Sequence, residues 1–305
     1  MALQSLSTEE SYSIFQQPWW LEAVAPNMWE EISIKDQTGT IARWPYIKKK
    51  KYFFDVISQP QLTQHLGPWI KPIKAKYCNV LSNQHDVFCE LIEALPSYDF
   101  LIQNFHHSIT NWLPFYWKNY EQTTRYTYIL HNIKQQETLW STFRENIRRE
   151  IRKAQKELEI KPDLGIDELY SICKKTYDRQ NRKINYSFDL LRRIDDACTS
   201  RNCRQIFFAQ DKKGNIHAAI YIVFDDKSAY YLLGGGDPAL RTSGAHSLLI
   251  WEAIQYASQF VDQFDFEGSV VQPIERFFRS FGAQQVPYFH LTHAQRKLKY
   301  LRKII

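Results

Sequence analysis

The chain has 305 residues, 44% hydrophobic and 15% aromatic, which excludes a disordered polypeptide and allows one large or two medium domains. Its 39 basic and 33 acidic side chains leave a net charge of +6, which permits an anionic ligand but is too mild to mark a nucleic-acid binder on charge alone. Five scattered cysteines (Cys78, Cys89, Cys173, Cys198, Cys203) with no Cys-x-x-Cys pair argue for free thiols in a reducing compartment and against a disulfide framework or a zinc site. The polar start is unlike a signal peptide, and no apolar run approaches the roughly 20 residues that span a bilayer. The expectation is a soluble, cytoplasmic protein.

Pro18 opens a short helix over 18–25, because proline at the first helical position gives up no hydrogen bond. Strands at 32–35 and 41–47 flank the turn Asp36-Gln-Thr-Gly39. The run Lys48–Lys51 reads as a solvated strand end or loop, and residues 59–69 as an irregular, turn-rich segment. A helix over 82–95 follows, capped by Ser82 or Asn83, with Val87, Leu91 and Leu95 in i, i+4 register. Residues 98–105 and 126–131 read as strands. Residues 138–158 predict one helix, with Phe143, Ile147, Ile151, Ala154 and Leu158 as its apolar stripe and Arg148, Arg149, Arg152, Lys153 and Lys156 on its other faces. Two helices, 167–180 and 187–199, lead to an antiparallel meander at 205–210, 216–224 and 228–233. A helix over 247–260, a strand over 263–268, a helix over 272–281, a strand over 287–293 and a basic terminal helix over 295–305 complete the chain.

The layout from Tyr98-Asp-Phe100 through a helix to the strand 126–131 returns from Phe264-Asp-Phe266 through a helix to 287–293, and internal duplication is the simplest account. The expected fold class is α/β (α+β): two domains, 1–134 and 135–305, each a mixed, mostly antiparallel sheet flanked by helices.

The segment Tyr230 to His246 is the most informative. A β-rich run reaches three glycines, Gly234 to Gly236, and Arg241-Thr-Ser-Gly244-Ala245 then opens a long helix. Bare backbone amides at a strand end and a helix start hold anions and oxyanions. Leu232, Leu233 and Gly234 are the candidates at the strand end, and Arg241, Thr242, Ser243, Gly244 and Ala245 at the loop. The bland alternative is that the glycines form a flexible turn. No Gly-x-Gly-x-x-Gly stands in a strand–helix–strand unit, so a dinucleotide fingerprint is not supported.

Asp265 and Glu267 stand two apart on the predicted strand and so share a face, with Phe264 and Phe266 on the other. Two carboxylates on one side of a central strand must line a cleft or pair with cations, since burial without partners is costly. In a cleft, Glu267 is the general base and Asp265 its support; otherwise they pair with Arg276 or Arg279. His246 falls at a helix N-terminus, where the dipole keeps imidazole neutral for use as a base or phosphate contact, or as a packing residue. His106 and His107 are adjacent and should diverge, so no metal spacing appears, and no Ser-His-Asp set can be argued. The basic face of 144–156 suits phosphates, whereas a Glu145–Arg149 pair suits an ordinary solvated helix. Trp19, Trp20, Trp29, Trp44 and Trp69 read as core, or as the lining of a cleft that Gln64 and His65 would reach.

The order of elements in the second half resembles the GNAT N-acyltransferases. That family's pyrophosphate loop reads Gln/Arg-x-x-Gly-x-Gly/Ala; here Arg241, Gly244 and Ala245 fit, with His246 where a small residue is expected. Its late helix reads aromatic-Tyr-x-x-x-Gly-Phe; here Phe277-Phe278-Arg-Ser-Phe281-Gly282-Ala283 puts Phe278 where many members carry the tyrosine that protonates the leaving thiolate. Two such halves resemble the FemABX-type aminoacyl transferases and FemAB-like acetyltransferases. The segments Gln17-Pro18-Trp19-Trp20, Gln59 to Gly67 and Phe264 to Ser269 fit such a bacterial subgroup. The resemblance implies acyl transfer from acetyl-CoA or another acyl-CoA to a small-molecule or peptide-like amine, with no metal. It also implies a second reading, an aminoacyl-tRNA donor acting on a cell-wall or lipid-linked precursor. That reading ranks second because the long helical-hairpin arm usual in the group has no room here. A third, a non-catalytic binding protein, is favoured by Phe278.

Overall fold

Apolar and β-branched runs set the strands, and polar turns join them. The computed structural model describes residues 10–295, and these divide into two units, residues 10–125 with 287–295 and residues 126–286.

The first unit contains α1 (Pro18–Val24), β1 (Trp29–Asp36), β2 (Gly39–Lys51), β3 (Phe54–Ser58), β4 (Trp69–Ile70), α2 (Tyr77–Ala94), β5 (Phe100–Asn104) and α3 (Leu113–Trp117). Its sheet runs β1-β2-β3-β5, antiparallel except for the parallel β3–β5 pair, and the short β4 adds to β2. The last strand among the described residues, Gln284–Ala294, lies antiparallel on β5 from His290 to Ala294. Trp44, Phe88, Leu91, Phe105, Phe115 and Leu291 form the core beneath α2 and α3. Trp44 is fully buried and its indole N–H donates to Gln103 Oε1 at 2.8 Å, while that of Trp20 donates to Thr63 Oγ1 at 3.0 Å. A buried indole with its one donor satisfied is packing material. Helix α2 starts at Tyr77, five residues before the Ser82 cap read from sequence, after Lys76, which makes no side-chain cap.

The second unit carries β6 (Glu121–His131, from Tyr126 onward), α4 (Gln136–Thr142), α5 (Glu145–Glu157), β7 (Leu158–Pro162), α6 (Ile166–Arg179), α7 (Phe188–Thr199), β8 (Arg204–Asp211), β9 (Ile216–Phe224), β10 (Ala229–Gly236), α8 (Ala245–Ala257), β11 (Gln263–Asp265) and α9 (Gln272–Arg279); the last strand is β12. The sheet order is β6-β11-β10-β9-β8-β7, antiparallel except for β10–β11. Helix α6 packs over β9 and β10, α8 over β8 and β9, and α5 against α8.

Three features differ from the sequence reading. The helix expected over 138–158 breaks at Phe143 and Arg144, both extended, because the Arg144 amide is satisfied by Ser280 O at 2.9 Å. Its apolar stripe is nonetheless buried as expected, and its end, from Leu158, is strand β7. Second, the three glycines are no turn: they complete β10, with Gly234, Gly235 and Gly236 opposite Ile220, Ala219 and Ala218. A Cβ on Gly235 would stand 2.6 Å from Cys173 Cα, so glycine lets the α6 backbone approach the strand. Thr176 Oγ1 accepts from the Gly236 amide at 2.9 Å and fastens the two together. Third, the unit boundary falls inside β6 rather than at 134/135, and the chain returns to the first unit at Pro287. β5-α3-β6 and β11-α9-β12 have the same order, and in each the closing strand pairs with the first strand of the other: β6 on β11, β12 on β5. That exchange suits a duplicated pair. The basic terminal helix expected after Gln295 lies outside the described residues. Among the described residues, no helix is long and apolar enough to cross a membrane.

Candidate functional site

The parallel ladder between β10 and β11 has only two rungs, Ala229–Phe264 and Tyr230–Asp265. Beyond them β10 follows β9 to Gly236, while Phe266 bonds through its amide to Tyr128 O at 2.9 Å. The strands therefore part, and Tyr231 is the first β10 residue past the last rung. The β10–β9 register skips Leu232 between Tyr231–Ile222 and Leu233–Tyr221. Such a bulge re-aims side chains where ladder pairing ends. Leu232 and Leu233 are both buried.

At the parting, the Tyr231 hydroxyl lies 2.8 Å from His246 Nε2. His246 sits in the first turn of α8, one residue after Ala245. Burial pushes its imidazole down to about 4, so the ring is neutral near pH 7. Burial, with Cys173 and Glu267 nearby, pushes the Tyr231 phenol well above its usual range. A Cβ on Gly234 would collide with the Tyr231 hydroxyl, so this glycine makes room for the pair. The Phe278 ring stands 5.8 Å from that of Tyr231.

Across the parting, β11 ends at Asp265, and Glu267 and Gly268 both take positive φ, 59° and 68°. The expected strand over 263–268 stops early, and the alternation that would place Asp265 and Glu267 on one face does not apply. They meet by a tighter route: the Glu267 amide donates to Asp265 Oδ1 at 2.7 Å, and the Thr127 hydroxyl donates to the same oxygen. Of the two arginines weighed as partners, Arg279 instead bonds Glu275 at 2.8 Å. The Glu267 Oε1 atom is closed off from solvent. Burial, then the Asp265 charge, pushes Glu267 well above the carboxylate range; burial pushes Asp265 up to about 6 against its two hydrogen bonds. The bonds to Asp265 favour its ionised form, so the shared proton belongs to Glu267.

A raised carboxyl makes stability fall as pH climbs. The contribution of Asp265 is full below its unfolded pKa of roughly 4 and is lost as pH passes about 6. Asp265→Asn, which keeps an acceptor for both donors, is expected to be more stable than the parent at pH 8 by about 3 kcal/mol and equal to it at pH 4. Urea unfolding at the two pH values measures this; equal midpoints at pH 8 would mean that the fold compensates the charge.

The loop read as an anion site is a short 3-10 turn, Arg241–Ser243, followed by Gly244 at φ 80°. Arg241 and Thr242 are exposed; Ser243, Gly244 and Ala245 are buried. Gly244 presses on α5, where a Cβ would stand 2.6 Å from Glu150 O. The Ser247 hydroxyl donates to Glu150 Oε2 at 2.6 Å, so a carboxylate of the chain already stands at the start of α8. Lys153 of the basic face does reach the loop, donating to Thr242 O at 3.1 Å. Glu145 holds Arg148 and Arg152 rather than Arg149. Sequence reasoning missed Tyr231 and Glu150, since neither belongs to a motif and each acts through a residue distant in the chain.

In the first unit, Gln64 and His65 are buried. His65 Nδ1 faces Phe105 O at 3.1 Å, and burial drives its imidazole down to about 3. The His106 and His107 rings lie 4.0 Å apart rather than diverging, and among the described residues no His, Cys, Asp and Glu group could hold a metal.

A mixed sheet whose central parallel pair splits beside a helix start is the architecture of an acyltransferase of the GNAT kind. Residues 141–272 match the family described as Acetyltransferase (GNAT) domain. Over the whole chain, the fold is shared with solved structures that include FemX and a tandem GNAT protein. It is similar to the crystal structure of FemX, with a TM-score of 0.71 at 13% identity over 98% of this chain and 96% of that one. It is also similar to L-PGS from Bacillus licheniformis (TM-score 0.55, 12% identity, 97% of each chain). A tandem GNAT protein from the clavulanic acid biosynthesis pathway aligns with a TM-score of 0.52 at 7% identity, over 87% of this chain and 82% of that one. At these identities the likeness is one of fold. No curated protein matches the sequence.

Proposed function

We propose that this chain moves an acyl group from an acyl-CoA-type donor to an amine. The observation that carries the reading is the parting of β10 and β11, flanked by the Tyr231–His246 pair and the Asp265–Glu267 pair. Before an acceptor binds, Glu267 holds the proton. As an alkylammonium binds beside it, Glu267 releases that proton to bulk water, since an opposite charge favours the carboxylate. The raised affinity of Glu267 for protons then suits it to take one back from the ammonium, leaving a neutral amine. The nitrogen attacks the donor carbonyl, whose oxyanion meets the amides at the Leu232 bulge, from Leu232 to Gly234. As the C–N bond forms and the C–S bond breaks, the departing sulfur takes the Tyr231 proton, and the proton that the nitrogen sheds on becoming an amide passes through solvent to restore the phenol. His246, in its Nε2–H tautomer, donates to the phenolate left behind. His246 is thus a positioning residue, and Asp265 orients Glu267. Arg241 to Ala245, with Lys153, supply the donor's phosphate contacts.

Two observations favour an aminoacyl-tRNA donor as the second reading. Glu150 occupies the α8 start that a pyrophosphate would need. A phenol held far above its normal range is a poor acid for a thiolate but a useful one for the more basic alkoxide of a ribose ester. A thermal-shift titration with acetyl-CoA, a longer acyl-CoA and a pool of charged tRNA tests the proposal. Saturating acyl-CoA is expected to raise the midpoint through about 2–3 kcal/mol of linkage. A response to charged tRNA alone replaces the donor, and silence to all three removes the transferase reading.

A further inference from the structure

The hairpin joining β2 to β3 carries unfavourable residues at its tip. Lys51 pairs with Phe54, so the loop is Tyr52 and Phe53 alone. Two-residue hairpin loops call for positive φ and are dominated by Asn-Gly and Asp-Gly. Tyr52 takes φ 56°. Of the nine non-glycine residues with positive φ among those described, six are Asn or Asp, which tolerate it; Tyr52 is one of three exceptions. The strained tip also leaves its rings in the open, with Tyr52 72% and Phe53 93% exposed. Two aromatics in a backbone that disfavours them, with little burial in return, point to a use outside the fold.

The residues behind the tip indicate which use. Lys48, Lys49, Lys50 and Lys51 precede it, and Asp55 alone opposes them between 48 and 55. Strand alternation puts Lys48 and Lys50 on one face and Lys49 and Lys51 on the other, so both faces are basic. Asp55 engages one of them, lying 4.0 Å from Lys48 and 3.5 Å from Lys50.

We infer that this hairpin docks the protein on an anionic lipid surface, with Tyr52 and Phe53 entering the headgroup–acyl boundary and the lysines meeting the lipid charge. Aromatic rings flanked by lysine stems partition to that boundary. A nucleic acid fits less well. The stretch has lysine point charges and no arginine fork for phosphodiesters, and the rings crown a convex tip instead of forming a platform for bases. The inference is independent of the acyl-transfer reading.

The full chain is tested by co-sedimentation with vesicles of phosphatidylcholine alone and with about one third phosphatidylglycerol. The parent should partition at least about tenfold more strongly onto the anionic vesicles. Tyr52→Asn with Phe53→Gly installs the preferred turn pair. It should melt no earlier than the parent and lose about tenfold in partition. Lys49→Gln and Lys51→Gln should each lose about fivefold. Equal binding to both vesicle types, no binding by the parent, or parent-like binding by the Asn-Gly variant overturns the inference. So does a loss of tRNA retention on filters in the lysine variants with vesicle binding unchanged, which would assign the hairpin to nucleic acid.

Discussion

Glu267→Gln is expected to fold like the parent and to lose acyl transfer by about 10²–10⁴-fold, the range of a general base removed. Glutamine matches the neutral, protonated side chain that burial and the Asp265 charge impose on Glu267. Packing and the left-handed backbone at φ 59° should therefore survive the change. The glutamine cannot take the proton from an ammonium. Initial rates at saturating acceptor, with a thermal melt as control, make the measurement. Turnover within twofold of the parent would take Glu267 out of the mechanism. The backbone itself raises the stakes. A glutamate in the left-handed region costs roughly 1 kcal/mol or more. Gly268 follows it so closely on Tyr126 and Thr127 that a Cβ there would collide with backbone. This short segment is over-determined by its surroundings, as positioned functional groups commonly are.

How far the sequence disclosed this arrangement depends on what each feature rests upon. The meander, the helices from α6 onward and the β–α–β echo rest on local apolar periodicity, and all were legible. The glycine triplet was misread because its purpose lies in another element: Gly235 admits Cys173 of α6, and nothing local distinguishes that from a turn. The break at Phe143 was hidden for the same reason, since the acceptor that satisfies Arg144 is Ser280, far along the chain. Asp265 and Glu267 were legible as a coupled pair. Their geometry was not, because a left-handed glutamate has no signature in composition or period. The Tyr231–His246 contact joins residues fifteen apart across a bulge and a loop. A strand-by-strand reading places each residue but not the bond between them.

Tyr231→Phe is expected to separate donors by how badly their leaving group needs a proton. A poor leaving group, an alkyl thiolate or still more a ribose alkoxide, departs more easily when protonated, whereas p-nitrothiophenolate departs unaided. The variant should therefore lose about 10²-fold or more with a ribose ester, less with an alkyl thioester and little with the p-nitrothiophenyl ester. A purely structural role for the hydroxyl would depress both rates alike, and that result would sink the assignment. The neighbouring Phe278 gives the complementary variant. Phe278→Tyr adds a hydroxyl there, and the Phe278 ring already stands 5.8 Å from that of Tyr231. If Tyr231 supplies the lost acid, the double variant Tyr231→Phe with Phe278→Tyr should recover part of the alkyl-thioester rate that the single variant loses. His246→Ala should weaken the same step less than Tyr231→Phe, because it removes only the donor that steadies the phenolate, and its penalty should likewise vanish with the activated ester. A smaller, leaving-group-dependent defect in His246→Ala would mark His246 as acting through Tyr231, whereas an equal defect with every ester would place it against the substrate itself.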